Sequence, residues 1–229
     1  MSLLTMMQRV ARQTGLAKPL VVVGATDETW LQMLEWCQET VEDLTTRHDW
    51  RILWKTQTIT GDGSTTVFAL NSDFGRLSTM PAVSLDGSAS GFWPTGPVGN
   101  PEWISASTFN PATVRPVYKV EGTNISFYSA PATGETYTVS YQSKKPVNSA
   151  SVYFETWQLD TDLIVIPERV VILGTVWRWK AAKGKAYQEA LSSAERAFES
   201  LASHDTGLPL VSMASSDFED EFGDVTVTV

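Results

Sequence analysis

Apolar residues recur at helical spacing near both ends of the chain and at alternating spacing in between. Ser2 is placed to cap a short first helix in which Leu3, Met6, Met7 and Val10 form a narrow apolar face, and Gly15 ends it. Residues 18–25 contain Pro19 and the run PLVVVGA, which reads as a linker or a short buried strand. After a Thr26 or Asp27 cap, Trp30, Leu34, Cys37, Val41 and Leu44 repeat at intervals of four and three. Gln32, Glu35, Glu39, Glu42, Asp43 and Thr46 occupy the opposite side, which predicts an amphipathic helix.

The stretch from Ile166 to His204 predicts an αα-hairpin. Pro167 suits a first helical turn, where a missing N–H costs nothing, and Glu168 lies where the helix dipole favours a carboxylate. Residues two apart on a helix lie about 200° apart, so Trp177 and Trp179 point to opposite sides. Val170, Leu173 and Trp177 share one side, and Ile172, Val176 and Trp179 the other. A helix apolar on both sides is either sandwiched within its own domain or shared with a neighbouring subunit. Gly184 breaks the run, and Tyr187, Leu191, Ala194, Phe198 and Leu201 form the second stripe.

From Trp50 the period changes to two. Trp50, Ile52 and Trp54 alternate with Arg51, Leu53 and Lys55 through Thr60, and a Gly61-Asp62-Gly63-Ser64 turn leads to a second strand over 65–70, together a hairpin. Residues 71–75 read as a loop, 77–85 as one or two strands and 86–101 as an irregular excursion, with a helical turn or two in the NPEWISA segment over 100–106. Tyr118 and Val120, then Ile125, Phe127 and Tyr128, then Tyr137, Val139 and Tyr141 predict a three-stranded meander, after which 149–163 crosses back to the hairpin. The fold class is α+β: a helical bundle of two N-terminal helices plus a C-terminal αα-hairpin, with an inserted antiparallel β region. The domains expected are 1–49 with 150–204, the inserted 50–149, and an acidic extended arm over 205–229.

Composition narrows the chemistry. With 42% hydrophobic and 19% charged residues and no apolar run of about 18, no membrane span is expected. The N-terminus lacks a basic leader, an apolar core and a cleavage site, so no signal peptide is expected and the chain is expected to stay in the cytoplasm. A net charge of −9 argues against a general nucleic-acid binder. Six acids and no Lys or Arg fall in 205–229, which ends in the alternating run Val225-Thr226-Val227-Thr228-Val229, a strand without an obvious local partner.

Candidate reactive groups are few. The glycines near 61–63 and 87–99 lack a phosphate-loop context. His48 and His204 sit on separate helix ends, and Cys37, the only cysteine, lies on an apolar stripe, so no metal or cofactor site is expected and the thiol should be inert. Asp160 and Asp162 are the best pair for glycoside hydrolysis, but loop and cap chemistry at the helix entry is the preferred reading. Asp217, Glu219, Asp220 and Glu221 lack calcium-loop spacing and read as a solvated or partner-facing run. No enzymatic role is expected. A carbohydrate- or receptor-binding role through the Trp93 and Trp103 region is the alternative.

The RHDW stretch at 47–50, the NSDFGRL turn at 71–77, the NPEWISA segment and above all IPERVVILGTVWRWKAAKGKAYQEAL resemble tailed-phage head-to-tail adaptor (connector) proteins, with an architecture similar to the tail tubular protein A family. The resemblance implies a structural virion protein at the head-tail junction, assembled in the host cytoplasm. It also implies a ring, usually of twelve copies, between the portal and a tail or nozzle protein, with genomic DNA passing through the lumen without sequence-specific binding. An acidic wall would repel rather than retard the duplex. The candidate subunit interface is Trp30, Ile172, Val176, Trp177 and Trp179, and the candidate portal- or neighbour-binding arm is Phe218, Phe222, Val225, Val227 and Val229.

Overall fold

The computed structural model describes residues 1–78, 82–85, 94–109 and 116–206. Its helices are α1 (Leu3–Thr14), α2 (Glu28–Arg47), α3 (Asn100–Phe109), α4 (Glu168–Ala182) and α5 (Gln188–Thr206). Ser2 caps α1 by accepting the Thr5 N–H at 3.4 Å, and Asp27 caps α2 by accepting the Thr29 N–H at 2.8 Å. The expected apolar stripe of α1 is buried, and so is that of α2 except for Leu34, which is only partly buried. The 18–25 run is neither helix nor strand; it is a linker fastened by the Asp160 carboxylate, which accepts the N–H groups of Val22 at 3.2 Å and Val23 at 2.7 Å. Gly184, at φ +65°, supplies the left-handed residue that ends α4. α3 runs longer than the turn or two expected of its sequence.

The strands are β1 (Trp54–Thr60), β2 (Val67–Ala69), β3 (Phe74–Leu77), β4 (Val83–Leu85), β5 (Tyr118–Glu121), β6 (Asn124–Phe127), β7 (Thr136–Ser143), β8 (Val147–Ser149), β9 (Val152–Phe154) and β10 (Leu163–Ile164). They make three antiparallel sheets: β7 between β1 on one edge and β3 then β4 on the other, β6 between β2 and β5, and β8 between β9 and β10. The fold is therefore mixed α+β.

Several local expectations are corrected. Trp50 to Leu53 is not strand: Arg51–Leu53 form a 3-10 turn closed by the Leu53 N–H on the Trp50 carbonyl at 2.9 Å. The turn buries Trp50 and Leu53 and leaves Ile52 62% exposed, so the apparent alternation there carries no strand. β1 and β2 do not form a hairpin. β1 pairs with β7 from Trp54 opposite Gln142 to Thr60 opposite Thr136, and β2 pairs with β6. The 61–63 turn instead bonds the 131–135 turn, through Gly61 N–H to Glu135 O at 2.8 Å and Gly63 N–H to Pro131 O at 3.0 Å. The meander is likewise divided: β5 and β6 pair, but β7 leaves for the larger sheet. β6 and β7 meet through side chains, with the Phe127 and Tyr137 rings 4.8 Å apart. Phe74 to Gly75, expected in a loop, open β3.

Two hydrophobic clusters result. One lies among the β strands, around Ile125, Phe127, Tyr137, Val139 and Tyr141. The other joins α1, α2 and α4, and includes Trp50, Leu53 and Val147 from the stretch expected to be inserted. α4 packs against α1, α2 and α5. Most of its apolar residues are thus sandwiched within the one chain, with Leu173 and Trp177 left partly exposed. At the α2–α4 crossing a Cβ on Gly174 would lie 2.3 Å from Thr40 Cγ2, so the two helices approach as closely as they do only because residue 174 has no side chain.

Gly174→Ala is expected to destabilise the chain by about 1–3 kcal/mol through overpacking. Thr40→Ser, which removes the opposing methyl, should recover part of that loss in the double variant. Urea unfolding of the four proteins measures the coupling, and strict additivity would refute the contact.

Candidate interaction surfaces

The last carbonyls of a helix have no partner within it. At the end of α2 they are met from outside. The Trp50 indole N–H donates to Leu44 O at 3.0 Å and Gln142 Nε2 to Thr45 O at 3.4 Å. Arg76 Nη1 donates to Thr46 O at 3.0 Å. Beyond the helix, Arg76 Nη2 and Gln142 Nε2 both reach His48 O, at 3.0 and 3.1 Å, and Arg76 Nε donates to Asp49 Oδ1 at 2.8 Å. Arg76 lies on β3 and Gln142 on β7, so the larger sheet is bolted to the helix end.

The same corner holds α5. Arg47 donates to both carboxylate oxygens of Glu195, at 3.0 and 2.6 Å, and lies 4.3 Å over the Phe198 ring. Hydrogen bonding by Arg47 holds the Glu195 carboxyl below its usual pKa. His48 Nε2 lies 3.1 Å from Asp205 Oδ2, which also accepts the Arg51 N–H at 3.0 Å. Arg47 and His48 therefore fasten the end of α2 to α5, Asp49 fastens it to β3, and Trp50 folds back to bond α2 itself.

The NSDFGRL turn is the second joint. Asp73 accepts from Lys55 Nζ at 2.5 Å, the Tyr141 hydroxyl at 2.8 Å and the Ser143 hydroxyl at 3.1 Å, tying β3 to β1 and β7. Asn71 Nδ2 donates to the Tyr141 oxygen at 3.0 Å. Burial pushes the Asp73 carboxyl up, but Lys55, Tyr141 and Ser143 outweigh it and hold the pKa below its ordinary value.

The residues expected at a subunit interface fall into two groups. Trp30 (7% exposed), Ile172 (5%), Val176 (3%) and Trp179 (4%) lie in the chain's own core, so they offer a neighbour almost no area. Trp177 is partly exposed, its ring 6.5 Å from Tyr187 with the Arg178 guanidinium 4.6 Å above it. Leu173, one turn earlier, is also partly buried. The side containing Ile172, Val176 and Trp179 is the intramolecular one. Phe218, Phe222, Val225, Val227 and Val229, and the acidic run at 217–221, lie outside the described residues.

Asp160 and Asp162 tie loops together. Asp160 fastens the linker as above, and Asp162 accepts the N–H groups of Gln158 at 2.7 Å and Leu159 at 2.8 Å. Their backbone carbonyls accept the N–H groups of Leu4 and Leu3, so this turn also caps α1. Burial pushes the Cys37 thiol up to about 12, which leaves almost no thiolate near neutrality. Trp103 packs edge-on against Tyr128 at 5.9 Å, with Lys119 Nζ 4.8 Å over its ring, and Trp93 lies outside the described residues. Among the described residues no helix is long and apolar enough to cross a membrane, and no group of three or more His, Cys, Asp or Glu could hold a metal ion.

One surface had no sequence signal. A groove of about 710 Å³ opens where α1, the start of α4 and α5 converge, with Ile164, Ile166 and Leu173 among its walls and Arg9 and Arg169 at its edge. Its residues come from three separate stretches, so no local pattern announces it.

These features define an α+β protein in which the polar residues of RHDW and NSDFGRL serve as joints between elements. The chain belongs to the SU10 adaptor protein family, whose profile matches residues 1–214. It is accordingly a bacteriophage head-tail connector protein and a virion component. The match carries the adaptor resemblance and does not reach as far as the tail tubular protein A family. No curated protein matches the chain.

Arg76→Ala is expected to cost about 2 kcal/mol, since it removes charged hydrogen bonds to two carbonyls and a carboxylate. Asp49→Ala should cost less, and the double variant less than the sum, as read by urea unfolding. Asp73 makes a second, pH-dependent prediction. Its folded pKa is the lower one, so its stabilisation is complete above the ordinary carboxylate value of about 4 and is lost as pH falls through the folded value. Asp73→Asn should lower stability near pH ~7 and flatten the acid limb of a circular-dichroism titration. An unchanged acid limb would remove Asp73 from the account.

Proposed function

We propose that this adaptor assembles as a closed ring of twelve copies, the number implied by the family it resembles, between the portal and the tail, with DNA passing through the lumen. In this reading residues 1–49 and 150–204 build the ring wall, 50–149 reach toward a tail or nozzle protein, and 205–229 fasten to the portal or a neighbouring copy. The observation that carries the reading is the adaptor-family match over residues 1–214. The bolted corner at α2 supports it, because a connector must keep its helical and β parts in fixed relation.

Within the candidate interface, the partly exposed edge of α4 at Leu173 and Trp177 is the surface available to a neighbouring subunit. Trp179, by contrast, acts through folding. An excess of carboxylates in the assembly suits a passage that DNA must leave without being held.

The two tryptophans separate these roles experimentally. Trp179→Ala should cost about 3–5 kcal/mol and deplete soluble protein. Trp177→Ala should cost roughly 1–2 kcal/mol, leave the chain folded, and yield particles with absent or incomplete tails by electron microscopy. Normal tails with Trp177→Ala would sink the interface assignment, and the absence of the chain from the capsid axis of native particles would sink the ring.

A further inference from the structure

The groove at the α1, α4 and α5 convergence continues into a shallower depression of about 320 Å³ that shares Arg169, Ser193 and Leu201 with it and adds Arg196. The combined trough has an apolar floor and three exposed arginines, Arg9, Arg169 and Arg196, along its edge. Among the described residues none of the three arginines is in an ion pair, and Arg196 makes one hydrogen bond, to Ser192 O within its own helix. Glu168, the acid at the floor, is occupied by the Met1 amino group. In a chain of net charge −9, an unpaired cationic edge around an apolar floor fits an acidic occupant with large apolar side chains.

The chain contains such a segment. Residues 217–224 read DFEDEFGD, five carboxylates interleaved with Phe218 and Phe222. The segment follows α5, which lines the trough. α5 nevertheless ends away from it: Leu201 is its last lining residue, and Thr206 lies about 7.5 Å further along the axis. There the Thr206 carbonyl accepts from Arg51 and Asp205 pairs with His48, so α5 ends beside the β region, away from its own trough. The ten residues between Thr206 and Asp217 span at most about 35 Å, enough to reach an adjoining copy.

We propose that the 217–224 segment of a second copy of this chain docks in the trough, with Phe218 and Phe222 on the apolar floor and the carboxylates along Arg9, Arg169 and Arg196. The inference rests on the oligomeric assembly proposed above. Docking would link each subunit to the next head to tail, an arrangement that closes into a ring when the rotation permits.

The test uses full-length chains. One carries Phe222→Cys, the other Leu173→Cys, or Ser193→Cys if the first fails to fold; Cys37, buried, does not compete. Mixed and oxidised, they should form the mixed disulfide dimer in excess of either homodimer. Arg9→Glu with Arg169→Glu in the trough should cut that yield at least about fivefold, and reversing Asp217, Glu219, Asp220 and Glu221 to Lys in the arm of the other chain should restore it. No excess of the mixed dimer, or a yield indifferent to charge reversal, overturns the proposal. So does a doubly substituted chain that closes on itself while the mixture stays unlinked, which would assign the arm to its own trough. Particle imaging reports on the ring and these purified chains on docking, so either can fail without the other.

Discussion

The end of α2 is the constraint on which the rest of the structure depends. A helix that stops inside a protein leaves carbonyls that cost free energy if they are buried without donors. Here the donors come from three places: an indole two residues past the helix cap, a guanidinium on β3 and an amide on β7. Satisfying the carbonyls and joining the helical and β parts are therefore one event. The helix end cannot be completed without the sheet, and the sheet's Arg76 would otherwise be left beside Asp49 with nothing fixing its plane. Arg suits this position because its planar fork reaches two carbonyls and a carboxylate at once, which a lysine ammonium on a flexible stem does not do with the same geometry.

This accounts for the kind of sequence signal the chain carries. RHDW and NSDFGRL are marked by residue type, without the spacing of a reactive centre, and in the structure they meet: Asp49 of one binds Arg76 of the other. Asp73, three positions before Arg76, then holds β1, β3 and β7 together through Lys55, Tyr141 and Ser143. The third marked stretch, around α4, holds Gly174, whose lack of a side chain admits Thr40 of α2. These three of the four marked stretches are joints. Joints of charged hydrogen bonds hold elements in fixed register with directional contacts that hydrophobic packing alone lacks.

Helices were legible because their evidence is local. The stripes of α1 and α2, the Gly184 break and the α+β class all follow from spacings of three and four or from single conformational demands. Strand existence was legible too, but partnership was not: β1 pairs with a strand some 80 residues later, and the alternation in β1 is equally compatible with a local hairpin. What decided the matter was β7, whose buried Tyr137, Val139 and Tyr141 and eight-residue length let it serve β1, β3 and β4 at once. Alternation also misled at Trp50 to Trp54, where the indole's bond to Leu44 O and a 3-10 turn replaced a strand. On α4, periodicity located both apolar sides but held no information on which faced inward. That depends on α1 and α2 arriving from elsewhere in the chain. The groove was illegible for the same reason.

The charge distribution bears on how copies meet. Five of the acids in this chain of net charge −9 fall in the eight residues 217–224, while unpaired arginines gather on one face of the helical part. At a distance, two copies repel according to their net charge. Close together, within a Debye length of about 8 Å at physiological salt, local complementarity outweighs the net term. Encounters between free subunits would thus be slowed by the net charge, while at close range the acidic segment and the cationic trough would attract. Net charge would then set how often copies meet, and the local charges how they are held once they do.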